Sequence, residues 1–273
     1  MDEIKQKSEE WRRLRAGKVT CSILSDVVAV RQKGEGELAG RRTARLRAIT
    51  QRLSDELLPE FNNASTAWGE RWEGAARQAY EIATGNIIDE VGFVEHLTIY
   101  GFGGSPDGVV RNASGRVVGG VEIKCPHAGV EHVAAIASGE MSDDHWDQVQ
   151  GSIFLNEAEW WDFVSFDPRM PEPLRLFVRR IWRDDDYINS TIIPAVKQLI
   201  VDIDHDTNEI LCMDQSRMLY DGTDSRETWL KRRADARAAA EAKAAELLRI
   251  KEEEKAAKAA AKAAEKAAKG GKA

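Results

Sequence analysis

Residues 104–127 read GSPDGVVRNASGRVVGGVEIKCPH, and this stretch restricts the fold more than any other. Val109 and Val110 close one apolar run. Asn112-Ala113-Ser114-Gly115 is turn chemistry, with a Gly able to take a positive φ. Arg116–Cys125 is a second run, rich in Val. Two such runs about a Gly-containing turn predict an antiparallel hairpin. Side chains alternate faces along a strand, so Glu122 and Lys124 share one face while Val121, Ile123 and Cys125 share the other. A register symmetric about the turn sets Asp107 opposite Gly120, one diagonal step from Glu122 and about 7 Å away at Cα. Two carboxylates so placed can hold one cation. Gly119-Gly120 is expected to form a bulge that tightens the approach. The competing reading is a solvated strand face, where a Lys two residues from a Glu is common. Against that reading, Pro106 removes a ladder donor just where Asp107 begins, and Pro126 ends the second strand abruptly.

The chain has 273 residues, enough for one large domain or two small ones. No apolar run reaches the length of a membrane span, and the charged start MDEIKQKSEEWRR has no apolar core of a signal peptide. Three scattered cysteines, Cys21, Cys125 and Cys212, fit free thiols in a reducing cytoplasm and cannot complete a four-cysteine cluster. The net charge of −7 is uneven. Residues 231–273 hold 13 Lys+Arg against 7 Asp+Glu, so the first 230 residues carry −13. An acidic body argues against broad, non-specific coating of DNA. It does not exclude a narrow basic channel, and it fits a site that concentrates divalent cations.

The pattern along the chain predicts an α/β architecture, a central mixed sheet flanked by helices. Residues 1–15 read as a helix with Trp11 and Leu14 facing a core, and Ser22 caps a short helix through Val28. Residues 31–40 form a Gly-rich polar loop, followed by a basic helix carrying Arg41, Arg42, Arg45 and Arg47. Ser65 or Thr66 caps a helix that Gly85 closes. Strands are expected over 87–99, 106–111, 116–125, 161–166 and 174–182. Helices are expected over 129–138, 142–156 and 184–203, with Pro194 kinking or ending the last. The boundary of the folded domain falls near residue 228. Residues 229–273, rich in Ala, Lys and Glu, read as a charged helical or partly disordered tail without a heptad repeat.

Two further groups stand out. Glu73 and Arg77 form an i,i+4 pair on a helix whose Ala75, Ala76, Ala79 and Tyr80 suggest close packing, so Glu73 is either a surface ion-pair partner or a further metal ligand. Gln148, in a helix that follows the hairpin, is either an exposed amide or a group that orients the Lys124 ammonium. The five histidines show no zinc spacing, and His127 and His132 read as surface or structural residues.

Taken together, Ser105-Pro106-Asp107-Gly108 and Glu122-Ile123-Lys124-Cys125-Pro126 resemble the PD-(D/E)XK nuclease core in the form found in lambda exonuclease and the YqaJ-type phage recombinases. The resemblance extends to Trp11–Ser22, to Ala67-Trp68-Gly69 with Glu73 and Arg77, to Gln148-Val149-Gln150, and to Asp167-Pro168-Arg169-Met170. These matches keep their order over about residues 8–205, and the tail lies outside them. The resemblance implies a restriction-endonuclease-like fold and a metal-dependent deoxyribonuclease. It implies that Asp107, Glu122 and the Ile123 carbonyl bind Mg²⁺, for which Mn²⁺ can substitute, with Glu73 serving the same centre directly or through water. Lys124 would position the attacking water, and Gln148 would hold Lys124. Arg15, Ser22 and Ser105 match positions that receive a 5′-terminal phosphate.

The resemblance also implies 5′-to-3′ digestion of one strand of linear duplex DNA, a ring-shaped oligomer (commonly a trimer) and a single-strand annealing protein as partner. The setting would be the cytoplasm of a bacterium hosting a phage or prophage, with no membrane involved. If subunits close into a ring, Arg31, Lys33, Arg41 and Arg45 could line its channel. The alternative for these arginines is pairing with Glu35, Glu37 and Glu56. Two other functions compete: a restriction-type or structure-specific endonuclease on the same core, and a non-catalytic partner that binds DNA ends. Intact Asp107, Glu122 and Lys124 weigh against the last.

Overall fold

The computed structural model describes residues 6–29, 36–54, 57–58 and 63–213, together with residues 231–232, 234–235, 238, 242 and 249. The few described tail residues from 231 onward are helical. The rest of the expected tail helix lies outside the described residues. The chain divides into two units, one of residues 1–30 with 38–211 and the other of residues 31–37 with 212–273.

The first unit is α/β, as the pattern predicts, but its strands form two sheets rather than one. The larger has the order β4-β5-β6-β7, built from Gly108–Arg111, Val117–Lys124, Trp160–Phe166 and Leu176–Trp182. β4 and β7 run antiparallel to their neighbours, and β5–β6 is parallel, so this sheet is mixed. The smaller sheet has the order β1-β3-β2, from Val19–Thr20, Phe102–Gly104 and Val94–Glu95. The long strand expected over 87–99 is not formed. That segment crosses between the sheets: Asp89 bridges to Val109 of β4, while Val94 and Glu95 pair with β3. A backbone that serves two sheets in turn cannot remain one strand.

Eight α-helices, among the described residues, surround the sheets: α1 Glu9–Arg15, α2 Leu24–Val28, α3 Ala39–Leu53, α4 Ala64–Thr84, α5 Val130–Ser138, α6 Trp146–Leu155, α7 Asp185–Tyr187 and α8 Ile193–Leu211. α1 is shorter than expected because Ser8 caps it, its hydroxyl accepting from the Trp11 N–H at 3.1 Å. α4 starts earlier than expected because Asn63 is its cap, accepting from the Thr66 N–H at 2.9 Å. Gly85 ends it with φ 74°, the left-handed conformation that glycine adopts freely. Before α8 the chain widens into a π-helical turn at Ile188–Ile192, next to Pro194, which has no N–H to donate.

The larger sheet is covered on both faces. Val121 and Ile123 of β5 and the following Cys125, with Val164 and Phe166 of β6, pack on Ala76 and Tyr80 of α4. On the opposite face Trp161 and Phe163 join Val149 and Ile153 of α6 and Val196, Leu199 and Ile203 of α8. Trp161 is completely buried, and its loss to Ala would cost about 3–5 kcal/mol. Its indole explains a glycine: a Cβ on Gly120 would lie 2.3 Å from that ring, and one on Gly119 equally close to Trp160. α4 is further tied to the sheet by the Tyr80 hydroxyl, which donates to the buried Asp162 carboxylate at 2.7 Å. Arg180 completes that cluster with two bonds to Asp162, at 2.8 and 2.9 Å.

Candidate active site

The hairpin forms with a register different from the symmetric one. Gly108 pairs with Val121 and Val109 with Gly120, and the register shifts between Val110 and Arg111, which faces Val117. The irregularity therefore sits nearer the turn than Gly119-Gly120. Continued by one step, the register brings Asp107 level with Glu122 itself rather than diagonal to it. β4 begins only at Gly108 because Pro106 cannot donate and the Asp107 side chain takes over a backbone partner. Its Oδ2 accepts from the Ile123 N–H at 2.7 Å.

Glu122 lies on the α6 side of the sheet and is 4% exposed. Its Oε1 accepts from Lys124 Nζ at 2.6 Å and from Gln148 Nε2 at 2.6 Å. Lys124 also donates to Gln148 Oε1, at 3.3 Å. The three side chains thus close a triangle, with Gln148 held in place by the buried Val149 and Ile153 on the same helix. Glu73 approaches from α4. Its Oε1 accepts from Arg77 Nη2 at 3.1 Å, and the same nitrogen donates to the Asp107 carbonyl at 3.1 Å. Arg77 therefore ties α4 to the loop that carries Asp107.

Asp107, Glu122 and Glu73 share the cavity with Lys7, Arg15 and Lys124. Burial holds the Asp107 carboxyl well above the usual carboxylate range, and the Glu122 and Glu73 charges push it the same way against the pull of Lys124. Burial acts to lower the Lys124 ammonium, but the Glu122 and Asp107 charges and the bond to Glu122 outweigh it, so its pKa is raised. Lys124 therefore holds its proton and donates to Glu122 and Gln148.

Arg15, Ser22 and Ser105 reach the same place. One cavity of about 250 Å³ is lined by Arg15, Ser22, Ser105, Asp107, Glu122 and Lys124, among others. Trp11 Nε1 donates to Ser105 Oγ at 2.9 Å, and the Arg15 guanidinium stacks on the Trp11 ring at 4.2 Å. A second cavity, of about 320 Å³, shares Trp11, Arg15, Thr20 and Ser22 with the first and adds Arg12, Lys18 and Arg47. Sequence reasoning did not single out Arg12, Lys18 or Lys7 as site residues. Arg41 and Arg45 lie elsewhere, on α3. Arg41 pairs with Asp202 at 2.7 Å and Arg45 with Asp206, both aspartates of α8. Arg31, Lys33, Glu35 and Glu56 lie outside the described residues. His132 is structural, as expected: it is buried, with ring nitrogens 2.8 Å from Ser165 Oγ and the Leu174 carbonyl.

Among the described residues no three His, Cys, Asp or Glu side chains converge into a closed metal cage. Mg²⁺ does not need one, because it binds through one or two carboxylates and keeps several waters. Asp107, Glu122 and the Ile123 carbonyl are an all-oxygen donor set. Burial first, and the Glu122 and Glu73 charges after it, raise Asp107, and a hard divalent cation in place of the proton would relieve both. The residues present therefore fit the ion.

A family model for the YqaJ-like viral recombinase domain matches residues 10–159. No match was found among curated proteins. The chain is similar to the crystal structure of LHK-Exo in complex with dAMP, with 35% identity, 74% of this chain and 96% of that one covered, and a TM-score of 0.66. A second structure, titled an alkaline exonuclease (LHK-Exo) from Laribacter hongkongensis, gives 34% identity, the same coverage and a TM-score of 0.65. A phage-related exonuclease from Haemophilus somnus 129PT shares the fold at 17% identity, with a TM-score of 0.54 and coverage of 76% of this chain and 99% of that one. The matched span includes the hairpin, the α4 carboxylate and Gln148, and the chain belongs to the YqaJ-like viral recombinase family.

Proposed function

We propose that this nuclease digests one strand of linear duplex DNA from its 5′ end, using Mg²⁺, and leaves a 3′ single strand for recombination by annealing. The observation that carries the reading is one shared wall. The cavity holding Asp107, Glu122 and Lys124 also exposes Arg15 and Ser22, which open in turn onto a chamber lined by Arg12, Lys18 and Arg47. Carboxylates suit the cation that cleaves a phosphodiester, and arginines suit a terminal phosphate.

Asp107, Glu122 and the Ile123 carbonyl would hold Mg²⁺, with Glu73 serving it directly or through water, and Mn²⁺ could substitute. When bound, the ion supplies an activated water and neutralises charge at the phosphate. Lys124, kept protonated by its carboxylate neighbours, donates hydrogen bonds to the water or to the phosphate oxygen. Gln148 fixes both Glu122 and Lys124, so neither has to be reordered during the reaction. Arg15 binds the 5′-phosphate, stiffened by its stack on Trp11, while Ser22 and the Trp11-anchored Ser105 donate hydroxyls. Residues 1–228 would form the nuclease domain and residues 229–273 a separate charged tail. The working assembly would be a closed ring, a trimer, acting beside a single-strand annealing protein in the cytoplasm of a bacterial host. No helix among the described residues is long and apolar enough to cross a membrane.

The test is a duplex labelled at either the 5′ or the 3′ end of one strand, run beside a covalently closed circle. Early release of the 5′ label from linear DNA only is the expected result. Cutting of the closed circle would establish an endonuclease, and early release of the 3′ label would reverse the polarity.

A further inference from the structure

Lys7, two residues before α1, has φ 69° and lies in the left-handed region. Among the described residues only one other non-glycine, Glu157, has a positive φ. A β-carbon disfavours this conformation, and residues that keep it are held there by their surroundings. The surroundings are specific. Gln6 Nε2 donates to the Val91 carbonyl at 2.8 Å and to the Pro106 carbonyl at 2.7 Å. Ser8 on the other side caps α1. The segment is thus strapped to the residue next to Asp107, and Lys7 lines the same cavity as Asp107 and Glu122.

The Lys7 ammonium lies 3.5 Å from Glu70 Oε1 and 3.6 Å from Glu73 Oε2, and its side chain is 47% exposed. Contacts this long and this exposed contribute little to stability, so ion pairing alone does not account for the strained backbone. The stem is flexible, and an ammonium is a point charge suited to phosphate. Lys124 is engaged by Glu122 and Gln148, and a phosphodiester entering the cavity meets Glu73, Asp107 and Glu122, so a mobile ammonium at its edge is useful.

We propose that Lys7 is a DNA-strand contact, whose ammonium moves from Glu70 and Glu73 onto a backbone phosphate of the strand held in the catalytic cavity. The strap through Gln6 sets how far that charge reaches over Asp107. The inference rests on the cavity being the DNA site.

The test is equilibrium binding of a fluorescent, 5′-phosphorylated duplex with Ca²⁺ in place of Mg²⁺ over a range of salt, with wild type, Lys7→Gly and Lys7→Arg. Glycine tolerates the backbone angle, so Lys7→Gly should melt no lower than wild type. It should bind about tenfold more weakly, the loss expected for one charged hydrogen bond. The slope of log affinity against log salt should fall by about one, as for one phosphate contact. Lys7→Arg should keep both the affinity and the slope. A Lys7→Gly variant with wild-type affinity and slope, beside a wild type that binds, would overturn the Lys7 assignment alone. A wild type without affinity for duplex ends would overturn the DNA-site reading as well.

Discussion

Two cavities share a wall of Trp11, Arg15, Thr20 and Ser22 but have opposite chemistry. On one side Asp107, Glu122 and Glu73 share the cavity with Lys7, Arg15 and Lys124, and burial holds Asp107 toward its neutral form. On the other side Arg12, Arg15, Lys18 and Arg47 gather beside the Trp11 ring. The first mixes carboxylates with cations, and the charged side chains lining the second are all basic. In the proposed reading a metal ion occupies the first cavity and a 5′-terminal phosphate the second. The α3–α8 seam is different again, since Arg41, Arg45 and Arg52 each face an aspartate of α8.

The largest expected effect comes from the acidic side. Asp107→Ala and Glu122→Gln should each lower nucleotide release by on the order of a thousandfold or more. Neither should unfold the protein, because the apolar cores on both faces of the sheet stay intact and Glu122→Gln keeps an oxygen for Lys124. A melting scan showing both variants unfolded would mean that the carboxylates are structural. Lys124→Ala should lower turnover more than DNA affinity, and the opposite split would make Lys124 a phosphate contact only.

Next comes the basic side. Wild type should degrade a 5′-phosphorylated duplex faster than a 5′-hydroxyl one. Arg15→Ala should remove that preference, a change of about ten- to a hundredfold on the phosphorylated end. Equal wild-type rates on the two ends would separate the cavities functionally and reject the phosphate assignment.

The seam should respond in stability first. Arg41→Glu with Arg45→Glu sets like charges against Asp202 and Asp206, and should lower the melting temperature by roughly 2–8 °C. A loss of activity on long duplexes with an unchanged melting temperature would favour a DNA channel over packing.

The smallest effect concerns the thiols. Burial pushes the Cys21 thiol up to about 12 from its ordinary 9.0. The folded thiol stays neutral where the unfolded one ionises. Its contribution to stability is therefore full below 9.0 and is lost as pH climbs toward about 12. Iodoacetamide in mild alkali should label the exposed Cys212 and spare the buried Cys21 and Cys125. Native labelling of Cys21 would show that this wall of the cavity opens.

Much of this was legible in the sequence, because hairpin periodicity and turn residues act locally. Glu122 and Lys124 on one face, and Val121 and Ile123 on the other, follow from alternation alone. The register did not, because a shift between Val110 and Arg111 depends on packing beneath the strand, where Trp160 and Trp161 lie over Gly119 and Gly120. The two-sheet arrangement was hidden because β1 and β2 are only two residues long and have no period. Lys7 was hidden by reading residues 1–15 as one helix. Ser8 followed by Glu9 and Glu10 is an N-cap signal that would have left Gln6 and Lys7 outside it. The pairing of Arg41 with Asp202 spans 161 residues, which no local pattern reports.

The most direct measurement is release of nucleotides from linear duplex DNA by wild type and Asp107→Ala, each in Mg²⁺ and in EDTA, with both proteins shown to be folded. The account predicts release by wild type in Mg²⁺ and by no other combination. Full release in EDTA, or by Asp107→Ala in Mg²⁺, would contradict it.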